Sequence, residues 1–190
     1  MNEPITDGRL AKGEQRKQEL IEATLRVVAR DGLSGVSHRT VAREAGLPAT
    51  AAAYHFKGID DLLTAALTRC MDEDTERMRV LAAETGEDAL PKFAALLAWV
   101  VTEPGHLLAE YELYLLAARE PKLRAPTDRW MAALADFARQ HTDDPVRVEM
   151  LVGLVDGLLL QALLRDEPPT AARFEAVLRT ALGSGRGRGP

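Results

Sequence analysis

One cysteine in 190 residues excludes an internal disulfide. A structural zinc site ordinarily wants several thiolates or a cluster of imidazoles, so Cys70 is expected to be a small core hydrophobe, with no metal and no cofactor. Long apolar runs are missing as well. No stretch reaches the roughly 20 residues that a bilayer-spanning helix needs, and none resembles a signal peptide, which predicts a cytoplasmic protein. Neither a G-x-S-x-G nucleophile elbow nor a phosphate-binding P-loop occurs. Glu103 and His106 have the E-x-x-H spacing that can ligate iron in helical bundles, but Pro104 and Gly105 between them break the helix that would align the pair, and no second pair exists. A non-enzyme is expected.

Positive charge is also in short supply. With 24 Lys and Arg against 29 Asp and Glu the net charge is −5, so a nucleic-acid partner depends on how the charge is distributed. Residues 1–60 hold 9 basic and 8 acidic side chains, and the remainder holds 15 and 21. The N-terminal part is thus the less acidic. Within it Arg9, Lys12, Arg16 and Lys17 cluster, and Arg39, Arg43 and Lys57 flank the stretch described next; such clusters can neutralise phosphates on an acidic protein.

Residues 36–57, VSHRTVAREAGLPATAAAYHFK, read as two short helices joined by a tight turn. Ser37 is a suitable N-cap, and Val36 and Val41 have the spacing of a hydrophobic staple. A helix over residues 38–45 then presents Val41, Ala42 and Ala45 on one face, and the small Ala42 admits a crossing helix. Gly46 supplies the turn, Leu47 plugs its corner, and Pro48 suits the first position of the second helix. That helix turns Ala52 and Phe56 inward and Ala49, Thr50, Ala53 and Tyr54 outward. These are the parts of a helix-turn-helix, with a plain helical hairpin as the alternative.

The G-x-P-x-x-x-x-x-Y-H-F order of residues 46–56, followed by Asp60-Asp61-Leu62-Leu63 at a helix start, resembles the DNA-binding domain of the TetR family of bacterial transcriptional regulators. The resemblance covers residues 16–67 well and the rest in layout. It implies an all-α fold: an N-terminal three-helix helix-turn-helix domain at residues 14–66, and a ligand-sensing, dimerising helical bundle at 67–182 that pairs through a four-helix interface. It also implies that His38 and Arg39 reach backbone or a base edge, that Tyr54 and His55 contact phosphates, and that Ala49, Thr50 and Ala53 sit where bases are read. Three alanines in this helix depart from the family pattern; they donate no hydrogen bond, though a methyl can touch a thymine methyl. Ile59 stands where many relatives have a lysine, leaving Lys57 as the substitute. Arg39 becomes the best single candidate for direct readout, and His55 has a structural role as its alternative.

The remaining elements follow from periodicity and punctuation. Residues 1–13 are expected to form a flexible arm and 14–31 the first helix, closed by Gly32. A helix over 59–84 carries Leu62, Leu63, Ala66, Leu67, Cys70 and Met71 in a stripe, with Asp60 and Asp61 favourable at its N-terminus. In the family this helix transmits ligand-induced motion. Further helices are predicted over 88–102, 106–120 and 127–141, then from the Asp144-Pro145 start to 165 and from Thr170 to 182, ahead of a disordered tail at 183–190. Residues 150–164, MLVGLVDGLLLQALL, are apolar on every side, which calls for burial on every side and motivates a homodimer through helices 127–141 and 146–165. Gly153 and Gly157 would let a partner helix approach, or pack within the monomer.

A small-molecule pocket is placed near Trp99, His106, Glu110, Tyr111 and Tyr114, with Asp156 opposite. The tyrosines can equally be core. Glu110 and Asp156 are carboxylates in apolar helices and need partners; facing a cavity they favour a cationic or donor-rich effector, and facing an arginine they do not. The function expected is a repressor released from a double-stranded DNA operator by an effector whose identity the sequence leaves open. An effector-independent DNA-binding dimer is the alternative.

Overall fold

The computed structural model describes residues 5–83 and 89–183, with side chains from Leu10 onward. Among them there is helix and no strand. Helix α1, Ile5–Asp31, is followed by a single 3-10 turn and by α2, His38–Glu44, and α3, Thr50–His55. The long α4, Ile59–Ala83, leads into α5, Ala89–Val100, and α6, Pro104–Arg119; α7, Arg124–Arg139, α8, Pro145–Ala162, and α9, Ala171–Leu182, complete the bundle.

The start of α2 forms as its residues dictate. The Thr40 amide donates to Ser37 Oγ at 3.1 Å and the Ser37 amide to Thr40 Oγ1 at 2.9 Å, a reciprocal capping box. Val36 and Val41 are both buried, as the staple requires. At the turn Gly46 takes φ +67°, the left-handed conformation that a side chain would strain, and the Leu47 amide reaches back to the Ala42 carbonyl at 2.9 Å. The second short helix begins two residues later than expected. Pro48 lies ahead of it and offers its carbonyl to the Ala51 amide at 2.8 Å, with Ala49 as the flanking residue.

The larger correction is at the N-terminus. Residues 5–13, expected as part of a flexible arm, are the first turns of α1. Gly8 and Gly13 each cost a helix about 1 kcal/mol, which weakens it without stopping it. Residues 1–4 of that arm, the predicted helix start at Asp88, and the tail at 184–190 lie outside the described residues. Further along, α7 starts three residues early and holds Pro126 in its first turn, where no intrahelical amide is needed. Asp144 caps α8, its Oδ1 accepting from the Val146 amide at 2.9 Å, and Thr170 caps α9.

α1 packs on α2, α4 and α6; α4 lies along α7, α5 along α9, and α8 bridges α7 and α9. Buried apolar side chains run without a gap from Val27, Val41 and Phe56 at the helix-turn-helix end, through Leu67 and Met71 of α4, to Phe93 and Phe137, whose rings lie 4.9 Å apart. The expected division after residue 66 therefore falls inside a continuous helix over a continuous core.

Candidate nucleic-acid interface and ligand site

Two clusters of chemistry-bearing side chains stand apart, one on the short helices that precede α4 and one against the middle of α4. The first is the surface of α2 and α3. Arg39, Ala49, Thr50, Ala53 and Lys57 are exposed, and Tyr54, at 85% exposure, is among the most solvent-facing large side chains described. Its ring is thus on the surface and takes no part in the core. His55 sits half-buried with its ring edge-on to Tyr54 at 5.0 Å. His38 differs from its neighbour Arg39: its Nε2 is enclosed by protein and has no hydrogen-bond partner, so Arg39 is the one of the two that reaches outward.

Helix α1 adds two residues to this surface, one of them, Lys12, from the stretch expected as an arm. Lys12 and Arg16 of α1 line a shallow groove of about 500 Å³ together with Thr50, Ala51, Tyr54 and His55 of α3. Sequence reading had noticed their charge and assigned part of it to an arm; the signal that places them is their helical register with Glu19 and Leu20. Among the described residues Lys12, Arg16, Arg39 and Lys57 make no ion pair. Arg26 and Arg30 do: they hold Glu44 at 3.0 and 2.8 Å, clamp α1 to α2, and keep the Glu44 carboxyl below its usual range. Cations at this end thus divide into those that fix the fold and those left for a partner.

The second cluster lies inside the bundle, between α4, α6, α7 and α8. Glu110 is only 6% exposed, and burial pushes its carboxyl well above the ordinary range, with Asp74 and Asp156 adding to the effect. Asp74 is pushed up by burial too, opposed by its ion pair with Arg77. Burial raises Asp156 to about 6, with the Trp130 indole pulling the other way. The Tyr111 hydroxyl donates to the Asp156 carbonyl at 2.9 Å, and the Tyr114 hydroxyl lies 3.5 Å from Met131 Sδ. Tyr111, Tyr114 and Asp156 therefore meet Trp130 and Met131 on one side of Glu110.

On the other side His106 meets α4, its Nε2 3.4 Å from Cys70 Sγ. Cys70 is buried as expected of a core hydrophobe, but its thiol faces a polar cluster of Asp74, His106 and Glu110, which a chemically inert role does not explain. Trp99, by contrast, is half-exposed at the end of α5, with the Arg77 guanidinium 5.3 Å above its ring; it borders the cluster through Arg77 and does not enter it. Asp74 and Trp130 are the residues that sequence reading passed over. Cys70 and Asp74, like His106 and Glu110, are four apart on one helix, a spacing that was available to be noticed.

One contact joins the bundle to the reading end directly. The Glu112 carboxylate of α6 accepts a hydrogen bond from the Leu33 amide at 2.9 Å, in the turn between α1 and α2.

Among the described residues no helix is long and apolar enough to cross a membrane. Residues 20–66 match the family described as bacterial regulatory proteins, tetR family, and residues 84–184 match a tetracyclin repressor-like C-terminal domain. The HTH-type transcriptional regulator PksA of Bacillus subtilis (strain 168) is 31% identical over 181 residues, spanning 87% of each chain. Among solved structures, the multidrug binding protein EbrR complexed with imidazole is 34% identical with a TM-score of 0.72, over 92% of this chain and 98% of that one. The same protein complexed with ethidium is 34% identical with a TM-score of 0.70, over 87% and 97%. A TetR-family member from Streptomyces coelicolor A3 is 34% identical with a TM-score of 0.76, over 89% and 99%. Helix order, the capped helix-turn-helix and full-length likeness to regulators agree, and the chain belongs to the TetR family of bacterial helix-turn-helix transcriptional regulators.

Proposed function

We propose that this regulator is a cytoplasmic repressor that binds its operator as a homodimer and leaves it when a cationic, aromatic small molecule enters the bundle beside Glu110. The observation that carries the effector's charge is the buried Glu110 and the half-buried Asp156, with no basic side chain paired to either among the described residues. A buried carboxyl in that state either keeps its proton or waits for a cation. Tyr111, Tyr114 and Trp130 supply the ring faces that bind lipophilic aromatic cations well. The likeness to EbrR, which has been crystallised with ethidium, supports the same class.

The DNA side rests on the exposed Arg39, Thr50, Tyr54 and Lys57, joined by Lys12 and Arg16. Arg39 is suited to a base edge, the alanines to thymine methyls, and the remaining cations and Tyr54 to phosphates. Pairing is supported by α8, which leaves Val146, Met150 and Leu160 exposed, and by Leu164 in the turn after it, which is exposed as well. Nothing lies within 4 Å of where a Cβ would stand on Gly153 or Gly157, so both present open backbone to an approaching helix. That face continues on the α7 side into Met131, Ala135 and Val152. Two copies joined there would offer two reading helices to successive major grooves, about 34–36 Å apart.

The test is mobility shift at fixed salt with DNA from around the protein's own gene and unrelated DNA as competitor. It is repeated with tetraphenylphosphonium, a lipophilic aromatic cation that does not intercalate. Specific retardation relieved by the cation supports the whole reading. Retardation that the cation leaves untouched, while the cation also fails to quench the protein's tryptophan fluorescence, overturns the effector class and favours constitutive binding.

A further inference from the structure

We infer that Cys70 and Asp74 of α4, with His106 and Glu110 of α6, form a binding site for a single divalent transition-metal ion of the zinc type. The assignment goes beyond the regulator reading and rests on two helices of one chain; with Glu110 engaged by the ion, Asp156 is the carboxyl left to face an organic cation. Each helix contributes a pair four residues apart, which puts both members on one face and one turn from each other. α4 and α6 turn those faces together. As a result a thiol, an imidazole nitrogen and two carboxylate oxygens all lie within 4.8 Å of one another. Tetrahedral zinc, with bonds of about 2.0–2.3 Å, wants donors roughly 3.3–3.8 Å apart, a spacing reached here by small side-chain rotations. Cys70 Sγ and His106 Nε2 are already 3.4 Å apart.

The donors also choose the metal. Sulfur and imidazole favour zinc, cobalt and their neighbours, whereas calcium and magnesium want oxygen throughout. Glu110 supplies an independent reason for a cation at this spot. It is more than nine-tenths buried and belongs to the cluster, and among the described residues no Lys or Arg stands within ion-pair distance of it; its near neighbours there are the Asp74 carboxyl, to which it is hydrogen-bonded, and the Cys70 thiol, both pushed by burial toward holding their protons. A metal ion would displace those protons and neutralise the charge that forms. Arg77, paired to Asp74, is placed to orient that carboxylate from outside the coordination shell. His106 opens onto a groove of about 440 Å³ between α1, α4 and α6, lined also by Glu22, Glu73 and Glu103 and by Arg26 and Arg69, which gives an ion a path from solvent. A bound ion would pin α6 to α4, the helix that runs to the reading end.

The experiment uses the full-length protein, reduced, stripped with a chelator and titrated with Co²⁺, and separately with Zn²⁺ in competition with a chromophoric chelator. The expected result is one ion per chain and, with cobalt, a thiolate-to-metal charge-transfer band in the near ultraviolet. Cys70→Ser should abolish that band, and His106→Gln or Glu110→Gln should weaken zinc at least tenfold, with the helical circular dichroism of each unchanged. Absence of both the cobalt band and zinc retention overturns the site, as does zinc affinity that is the same in the wild type and in a folded Cys70→Ser/His106→Gln double variant. None of these readouts involves DNA or an organic cation, so failure of the regulator reading would leave them unmoved.

Discussion

The reading end and the interior of the bundle use charge in opposite ways. At α1 to α3 the unpaired groups are cations on the surface, Lys12, Arg16, Arg39 and Lys57, around a helix whose outward side chains are mostly methyls. In the bundle they are carboxyls, the buried Glu110 and the half-buried Asp156, the latter beside Tyr111 and Trp130. An acidic protein can serve DNA because its fold segregates the two. The comparison also says where free energy is at stake: interior residues hold the fold, while surface residues at the reading end are available to a partner at little cost to it.

Substitutions at the two ends should therefore separate stability from binding. The largest effect belongs to Phe137→Ala. Its ring is fully buried against Phe93, and its removal should cost about 3–5 kcal/mol in denaturant unfolding, since the packed bundle closes only part of the cavity. A loss under about 1 kcal/mol would mean that the bundle is far looser than its packing indicates. At the reading end Arg39→Ala should weaken operator binding by about 1–3 kcal/mol while moving stability by less than about 0.5 kcal/mol. If operator affinity at fixed salt is unchanged, Arg39 reads no base. Between them stands Ser37→Ala, which removes the cap that sets α2. About 1 kcal/mol of stability should go. Operator affinity should fall with it only if the cap also fixes the angle of α3.

How much of this was legible in the chain depends on the kind of signal. The reading end was legible in detail because capping and turn chemistry are local: Ser37, Val36, Val41, Gly46 and the D-D-L-L start after Phe56 each declare a structural role within a few residues. The order of the bundle helices could be read for the same reason, from Asp144-Pro145 and Thr170. Residues 5–13 misled because glycines and polar side chains look like a tail, whereas an α-helix already propagating through residues 14–31 tolerates both. The interior site was legible only by halves. His106 and Glu110 stood out on one helix, but Cys70 and Asp74 become their neighbours through the crossing of α4 and α6, and no pattern within either helix states that crossing. The approach of Trp130, on α7, to Asp156, on α8, is likewise tertiary.

The smallest effect tests whether the interior carboxyls are as strained as their isolation implies. Asp156 is raised from an ordinary 3.8 to about 6 in the folded chain, so between those values the folded state holds a proton that the unfolded state has released. Stability from this group is greatest below about pH 4, falls as pH rises through about 6, and is flat above that. Asp156→Asn keeps the shape and an acceptor for the Trp130 indole while removing the ionisation. The variant should melt higher than the wild type at about pH 8, with the difference shrinking to nothing near pH 4. It should also relieve Glu110, whose carboxyl is pushed up in part by the Asp156 charge. A thermal melt series of both proteins across this range decides it. A difference in Tm that does not vary with pH would mean that Asp156 is solvated in the folded chain, and the contrast between a charged surface and a strained interior would then rest on Glu110 alone.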